Sequence, residues 1–213
     1  LASPADAWTW ADFVAAAQAL TLDKNGDGVT DQYRAGIDPI LYRLAPFIWQ
    51  AGGELVDDPA NPTRLSLDSP AAQQAFQWFV DLQTTTHVVP DAAAEAAQDS
   101  QSRFLSGALG MYFNSRRVVP TMRTIKDFDW DVAPLPRGAV SASVLHSDGY
   151  CLADKSKDKE AAWKFIEYAN SVQGQKIVAR SGRTVPSLRA VAESADFLTP
   201  TEKPAHSQVW LDV

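Results

Sequence analysis

Soft and imidazole side chains are scarce in this 213-residue chain: one cysteine and three histidines, with only two methionines. Cys151 stands alone, so no intrachain disulfide can form and the redox compartment cannot be read from it. In Y-C-L-A it reads as a buried strand residue. His87, His146 and His206 are too scattered to suggest a zinc site. There is no G-x-S-x-G elbow, no P-loop and no H-E-x-x-H. His146-Ser147-Asp148 does not make a triad, because neighbours on an extended chain point alternately apart. No apolar run approaches the ~20 residues of a membrane span. Basic residues are the scarcer sign, 19 against 26 acidic, and the net charge of −7 argues against a nucleic-acid surface. The start, L-A-S-P-A-D-A-W, has neither a basic n-region nor a cleavage-like signal. The protein is then either cytosolic or the chain begins inside something larger. Repeats and low-complexity linkers are also absent.

What the chain has is an ordinary globular balance, 46% hydrophobic and 21% charged, and seven tryptophans. Tryptophan serves as core filler or as a flat platform for a ligand. The length is enough for a substantial core.

The central stretch is S-R-F-L-S-G-A-L-G-M-Y-F-N-S-R-R-V-V-P, residues 102 to 120. Phe104 and Leu105 close a helix, and Gly107 supplies a left-handed stop. Leu109 to Phe113 suits one buried strand. Asn114, Ser115, Arg116 and Arg117 follow at its carboxyl end, where ligands sit in open α/β sheets; solvated arginines are the plain alternative. Val118 to Ile125 reads as a short helix.

Thr9 caps a first helix, with Asp12 at its third position and Trp10, Phe13, Val14 and Ala17 on one face. D-K-N-G-D-G-V-T-D, residues 23 to 31, resembles a calcium loop. Asp23, Asn25, Asp27 and Asp31 supply side-chain oxygens and Val29 its carbonyl, but Arg34 stands where the twelfth-position glutamate belongs. A complete EF-hand is excluded; structural Ca2+ or a plain Asx-rich turn remain. Residues 38 to 56 predict a helix stopped at Gly52-Gly53, kinked or divided at Pro46. Ser69 and Pro70 open a helix with Ala72, Ala75, Phe76, Phe79 and Val80 as its core stripe and Trp78 off it. Residues 87 to 99 form a connection.

D-F-D-W-D-V, residues 127 to 132, predicts a half-buried strand with Asp127, Asp129 and Asp131 on the wet face. Val144 to Ala153 reads as a turn into an apolar strand. A helix follows over about 157–170, with Ala162, Phe165, Ile166 and Ala169 inward, then another over about 171–181.

F-x-x-G-x-x-x-M-Y-F-N-x-x-x-x-x-P, T-W-A-D-F, Q-A-G-G-E-L-V, L-D-S-P-A-A-Q-Q-A-F-Q-W-F-V-D-L, S-K-D-K-E-A-A-W-K-F, S-G-R-T-V-P-S-L-R-A and the late V-W-L come in one order. Together they resemble the extracellular solute-binding proteins of bacterial ABC importers, in the carbohydrate-type family 1 branch. The resemblance implies an α/β fold, a periplasmic-binding-protein-like type II lobe, helix-rich with a small mixed sheet. It places residues 1–144 in the second lobe's core, 145–200 largely in the first lobe, and 201–213 back in the second. Much of the first lobe would then precede Leu1.

The implied function is solute binding in an interlobe cleft, without catalysis. The solute is most simply a carbohydrate. Tyr42, Asn114, Arg116, Arg117 and Trp210 would line one wall, and His146, Ser147, Asp148 and Arg183 the crossover side. Arg117 stands where many relatives carry a stacking tryptophan, which leaves a sugar acid, peptide or polyamine open. The enzyme alternative is a glycoside hydrolase or other carbohydrate-active enzyme, which needs only two suitably spaced carboxylates. The resemblance further implies a monomer outside the cytoplasm, periplasmic or lipid-anchored. Its partners would be the permease's transmembrane subunits, with no nucleic acid involved.

Overall fold

The computed structural model describes residues 8–20, 26, 33–199 and 201–212. The chain divides into two compact units: Leu1–Asn114 with Pro134–Val144, and Ser115–Ala133 with Leu145–Val213. Residues 115–133 and 201–213 thus group with the late part of the chain. The expected lobes had joined both to the residues before 145.

In unit 1, α1 (Trp10–Ala19) opens on a complete capping box between Thr9 and Asp12. The Thr9 hydroxyl and amide hold the Asp12 carboxyl below the usual carboxylate range. β1 (Tyr33–Ile37) pairs in parallel with β2 (Leu109–Phe113), Ala35 facing Met111 and Ile37 facing Phe113. A parallel pair needs a long crossover, and four helices supply it. These are α2 (Leu41–Gln50), α3 (Pro70–Thr84), α4 (Ala92–Ala97) and α5 (Ser100–Leu105). Gly36 in β1 is required by closeness: a Cβ there would lie 2.5 Å from the Ser100 hydroxyl. Gly107, at φ 75°, ends α5 in the left-handed region and turns the chain into β2.

Pro46 does not divide α2; it lies inside one continuous helix. With no N–H at residue 46, the Tyr42 carbonyl lacks its intrahelical donor, and burial of Leu44, Phe47 and Ile48 against α3 offsets that loss. On α3 the buried face is turned from the expected stripe. Ala72, Ala75 and Leu82 are buried, Phe79 and Trp78 pack beside them, and Phe76 is 56% exposed. Trp78 decides this: it stacks on Trp10 at 4.4 Å and contacts Phe13 and Phe47, a larger apolar gain than Phe76 offers. The connection over 87–99 also contains structure, since Asp91 caps α4 through the Ala94 amide. Gln50, buried, accepts from the Trp10 indole at 2.6 Å and donates to the Ala142 carbonyl at 2.8 Å, tying residues 134–144 to the first helices.

In unit 2 a 3-10 turn at Arg116–Val118 runs into the short α6 (Val119–Met122). Then come α7 (Lys159–Asn170), α8 (Val172–Arg180), α9 (Arg189–Ala192), α10 (Ala195–Leu198) and a 3-10 turn at Ser207–Trp210. Ala179, Val191 and Phe197 form its core, with Leu188, Leu198, Trp210 and Leu211 around them.

Neither expected late strand is present. Residues 127–132 are irregular, although the alternation holds: the three aspartates are exposed and Trp130 is buried. Residues 144–153 are irregular and mostly exposed, Leu145 to 92% and Cys151 among them. A strand needs a neighbour for its backbone groups, and no described residue pairs with either segment. On α7 no residue is buried, and Phe165, expected inward, is exposed with Trp163 and Tyr168. No described helix is long and apolar enough to cross a membrane.

Candidate functional site

The carboxyl end of β2 carries a compact polar cluster within unit 1. Asn114 accepts a hydrogen bond at Oδ1 from Arg43 Nη2, 2.5 Å away, and its Nδ2 donates to the Tyr112 hydroxyl. The Arg43 guanidinium carbon also lies 5.0 Å from the centre of the Tyr42 ring. Burial pushes the Tyr112 hydroxyl pKa up, a push that the Asn114 hydrogen bond and the Arg43 charge oppose. Tyr42 is 53% exposed, so its aromatic ring faces solvent beside an amide and a cation. The helix start sets this arrangement: Tyr42 and Arg43 occupy the first turn of α2.

Sequence reading named Tyr42 and Asn114 and missed Arg43 and Tyr112. The signal for Tyr112 was available, because residues two apart on a strand share a face, so Tyr112 accompanies Asn114. Arg43 gives no such signal, since its partner lies 71 positions away.

Unit 2 brings Arg116 and Trp210 together. The Arg116 guanidinium lies between two rings, 4.1 Å from Phe197 and 4.5 Å from Trp210. It donates to the Ser207 hydroxyl at 3.3 Å and the Phe197 carbonyl at 3.4 Å, while its Nε is buried without a partner. At 4% exposure the side chain faces the inside of unit 2, so the ligand contact expected of it is taken by ring faces. Burial, with the charge of Arg123 as a smaller cause, lowers its pKa to about 10, which leaves it a cation at neutral pH. Trp210 is half-buried and Arg117 exposed.

The segment leading to Trp210 is pinned by charge. Arg123 donates to the Lys203 carbonyl at 2.8 Å and pairs with Glu202 at 2.9 Å. Lys203 reaches Asp129 at 2.5 Å, and Asp131 receives the His206 amide and ring. Burial works against the Asp131 carboxylate, yet these His206 bonds hold its pKa below the usual range.

His146, Ser147 and Asp148 are exposed on the irregular segment, and Arg183 is exposed after α8. Among the described residues no hydrogen bond or ion pair ties His146, Ser147 or Asp148 to Trp210. The calcium-type loop, with Asp23, Asn25, Asp27, Val29 and Asp31, lies outside the described residues apart from Gly26, whose φ is 77°. Among the described residues there is no group of three or more histidine, cysteine, aspartate or glutamate side chains placed to hold a metal. A groove of about 290 Å³ in unit 1, lined by Thr9, Trp10, Gln74 and Arg137 among others, shares no residue with the Tyr42–Asn114 cluster.

An exposed tyrosine ring, an amide and an arginine can offer a solute an apolar face and hydrogen-bonding groups. The family model for bacterial extracellular solute-binding proteins matches residues 1–205. The chain belongs to that family. Solved structures share its fold. An ABC substrate-binding protein of Listeria monocytogenes, solved with cycloalternan, has a TM-score of 0.81 at 20% identity over 100% of this chain and 53% of that one. The maltose/maltodextrin-binding domain MalE of Bdellovibrio bacteriovorus, bound to maltotriose, gives 0.75 at 21% identity, over 98% of this chain and 55% of that one. A solute-binding protein of Thermotoga lettingae, bound with alpha-D-tagatose, gives 0.75 at 24% identity, over 92% and 50%. This chain therefore spans about half the length of these solute-binding proteins. No curated protein sequence matches it at a significant level.

Proposed function

We propose that this chain forms part of the solute-binding protein of an ABC importer, binding a carbohydrate outside the cytoplasm and delivering it to the permease without chemical change. The carrying observation is the exposed Tyr42 ring beside Asn114 and Arg43 at the carboxyl end of the parallel pair, in a chain of this family. Sugar rings present apolar C–H faces to aromatic rings and hydroxyls to amides and guanidinium groups. Tyr42 and Asn114 in unit 1, and Arg117 and Trp210 in unit 2, are the proposed contacts. His146, Ser147, Asp148 and Arg183 are assigned to a second, weaker set.

The exposed apolar residues of α7 fit the same reading. Phe165 and Tyr168, three apart on α7 and each more than half exposed, share an apolar face that needs cover, and Trp163, also more than half exposed, lies on the other side of the helix. In a protein as long as the relatives, further polypeptide supplies it, as expected of a 145–200 segment belonging to the other lobe. The protein works as a monomer, periplasmic or lipid-anchored. Ca2+ is the proposed structural occupant of loop 23–31.

The test is affinity in the full-length protein. Trp210→Ala and Tyr42→Ala are each expected to weaken binding of the cognate sugar at least tenfold, since an aromatic anchor commonly carries about 2 kcal/mol or more. Calorimetry showing unchanged affinity in both, with an unchanged fold, refutes this assignment of contacts.

A further inference from the structure

We infer that Arg43 makes the unit 1 contact surface selective for a solute bearing an anionic group, a carboxylate or a phosphate, beside a flat apolar face. The inference rests on the proposed binding role of Tyr42 and goes beyond it by naming the substituent that the solute carries.

Arg43 is a cation short of partners. Its guanidinium can donate five hydrogen bonds, and among the described residues one is made, from Nη2 to Asn114. Its Nε is buried and unpaired. Among the described residues no carboxylate lies within ion-pair distance of it, in a chain with 26 acidic residues. Asp38 and Asp99 are the acidic neighbours to weigh. Their charges are felt at Tyr112, together with that of Arg43, but neither pairs with the guanidinium.

The surroundings favour an anion rather than a neutral hydroxyl. Arg43 stands in the first turn of α2, whose cap residue, Ile40, has no side chain that can accept from the helix amides. The positive end of the helix dipole disfavours a cation in that turn; a bound anion relieves both charges. Asn114 and Tyr112 then have a definite job. With Oδ1 accepting from Arg43 and Nδ2 donating to Tyr112, the Asn114 amide also positions the guanidinium. The fork geometry of the guanidinium suits a carboxylate or phosphate, and the exposed Tyr42 ring alongside offers the apolar face.

The experiment uses the full-length protein and three probes: glucose, glucuronate and glucose 6-phosphate, compared by calorimetry at low and high salt. The expected result is at least tenfold tighter binding of one acidic probe than of glucose, weakening as salt rises. The better acid identifies carboxylate or phosphate as the group. Arg43→Gln should bring that ratio to within about twofold of one, and Arg43→Lys should keep part of it. Tyr42→Ala should weaken acid and neutral probes alike. Glucose binding as tightly as both acids, or a preference that survives in Arg43→Gln, overturns this inference and leaves the carbohydrate reading standing. Failure of every probe to bind, in a folded protein, overturns both.

Discussion

Units 1 and 2 answer the same demand, burial of amphipathic helices, in opposite ways. In unit 1 the helices find each other. Phe13, Phe47, Trp10, Trp78 and Phe113 form a network of ring contacts, and the faces of α2 and α3 close on one another. In unit 2 the longest helix, α7, has no fully buried residue, and the C-terminal segment is held by a small apolar core, an enclosed arginine and charged clasps. An apolar stripe states that a helix needs cover; it does not state that cover is present. Apolar burial contributes roughly 25 cal/mol per Å² only when a partner surface removes the water.

Truncating one phenylalanine in each unit breaks or sharpens that contrast. Phe47 is 1% exposed and Phe165 60% exposed. In the 213-residue chain Phe47→Ala is expected to cost about 3–5 kcal/mol in urea unfolding, and Phe165→Ala less than about 0.5 kcal/mol. Equal losses would show α7 to be covered after all. In a full-length protein Phe165→Ala should become the costlier of its two measurements.

Arg116 gives the next largest effect. Arg116→Ala removes two cation–π contacts and leaves a gap between Phe197 and Trp210, with an expected loss of about 2 kcal/mol. Arg116→Met fills the same space without a charge to desolvate and should recover most of that loss. A methionine variant as unstable as the alanine one would mean that the charge itself holds unit 2 together.

The smallest effect is expected from calcium, and it would blur the contrast by giving unit 1 a charge-held part of its own. With Arg34 in place of the twelfth-position ligand, affinity should be weak. Millimolar calcium should raise the melting temperature by a few degrees at most, and Asp27→Ala should abolish the rise. No rise in either protein leaves an Asx-rich turn.

Local chemistry was legible wherever the causes lie within a few residues. The Thr9–Asp12 capping box, the Ser69–Pro70 helix start and the Gly107 stop stand as the residue order implies, and so does the extent of the strand at Leu109–Phe113, although past Leu109 it is half-buried rather than buried. So was the position of Asn114 at the carboxyl end of that strand, and with it half of the candidate cluster.

Legibility ended where a distant partner chooses among equivalent local options. The sequence by itself determined helix ends, turn glycines and which segments are apolar, because those depend on caps, φ preferences and side-chain periodicity within one or two turns. Only the tertiary structure decided that Trp78 and not Phe76 faces the core, since Trp10 waits 68 positions away to stack on it (78 − 10). It likewise set Arg43 on Asn114 and enclosed Arg116 between Phe197 and Trp210. The alternating stretch at 127–132 and the apolar one at 144–153 took no strand form. A strand is completed by hydrogen bonds to a neighbour, and its own residues cannot supply them.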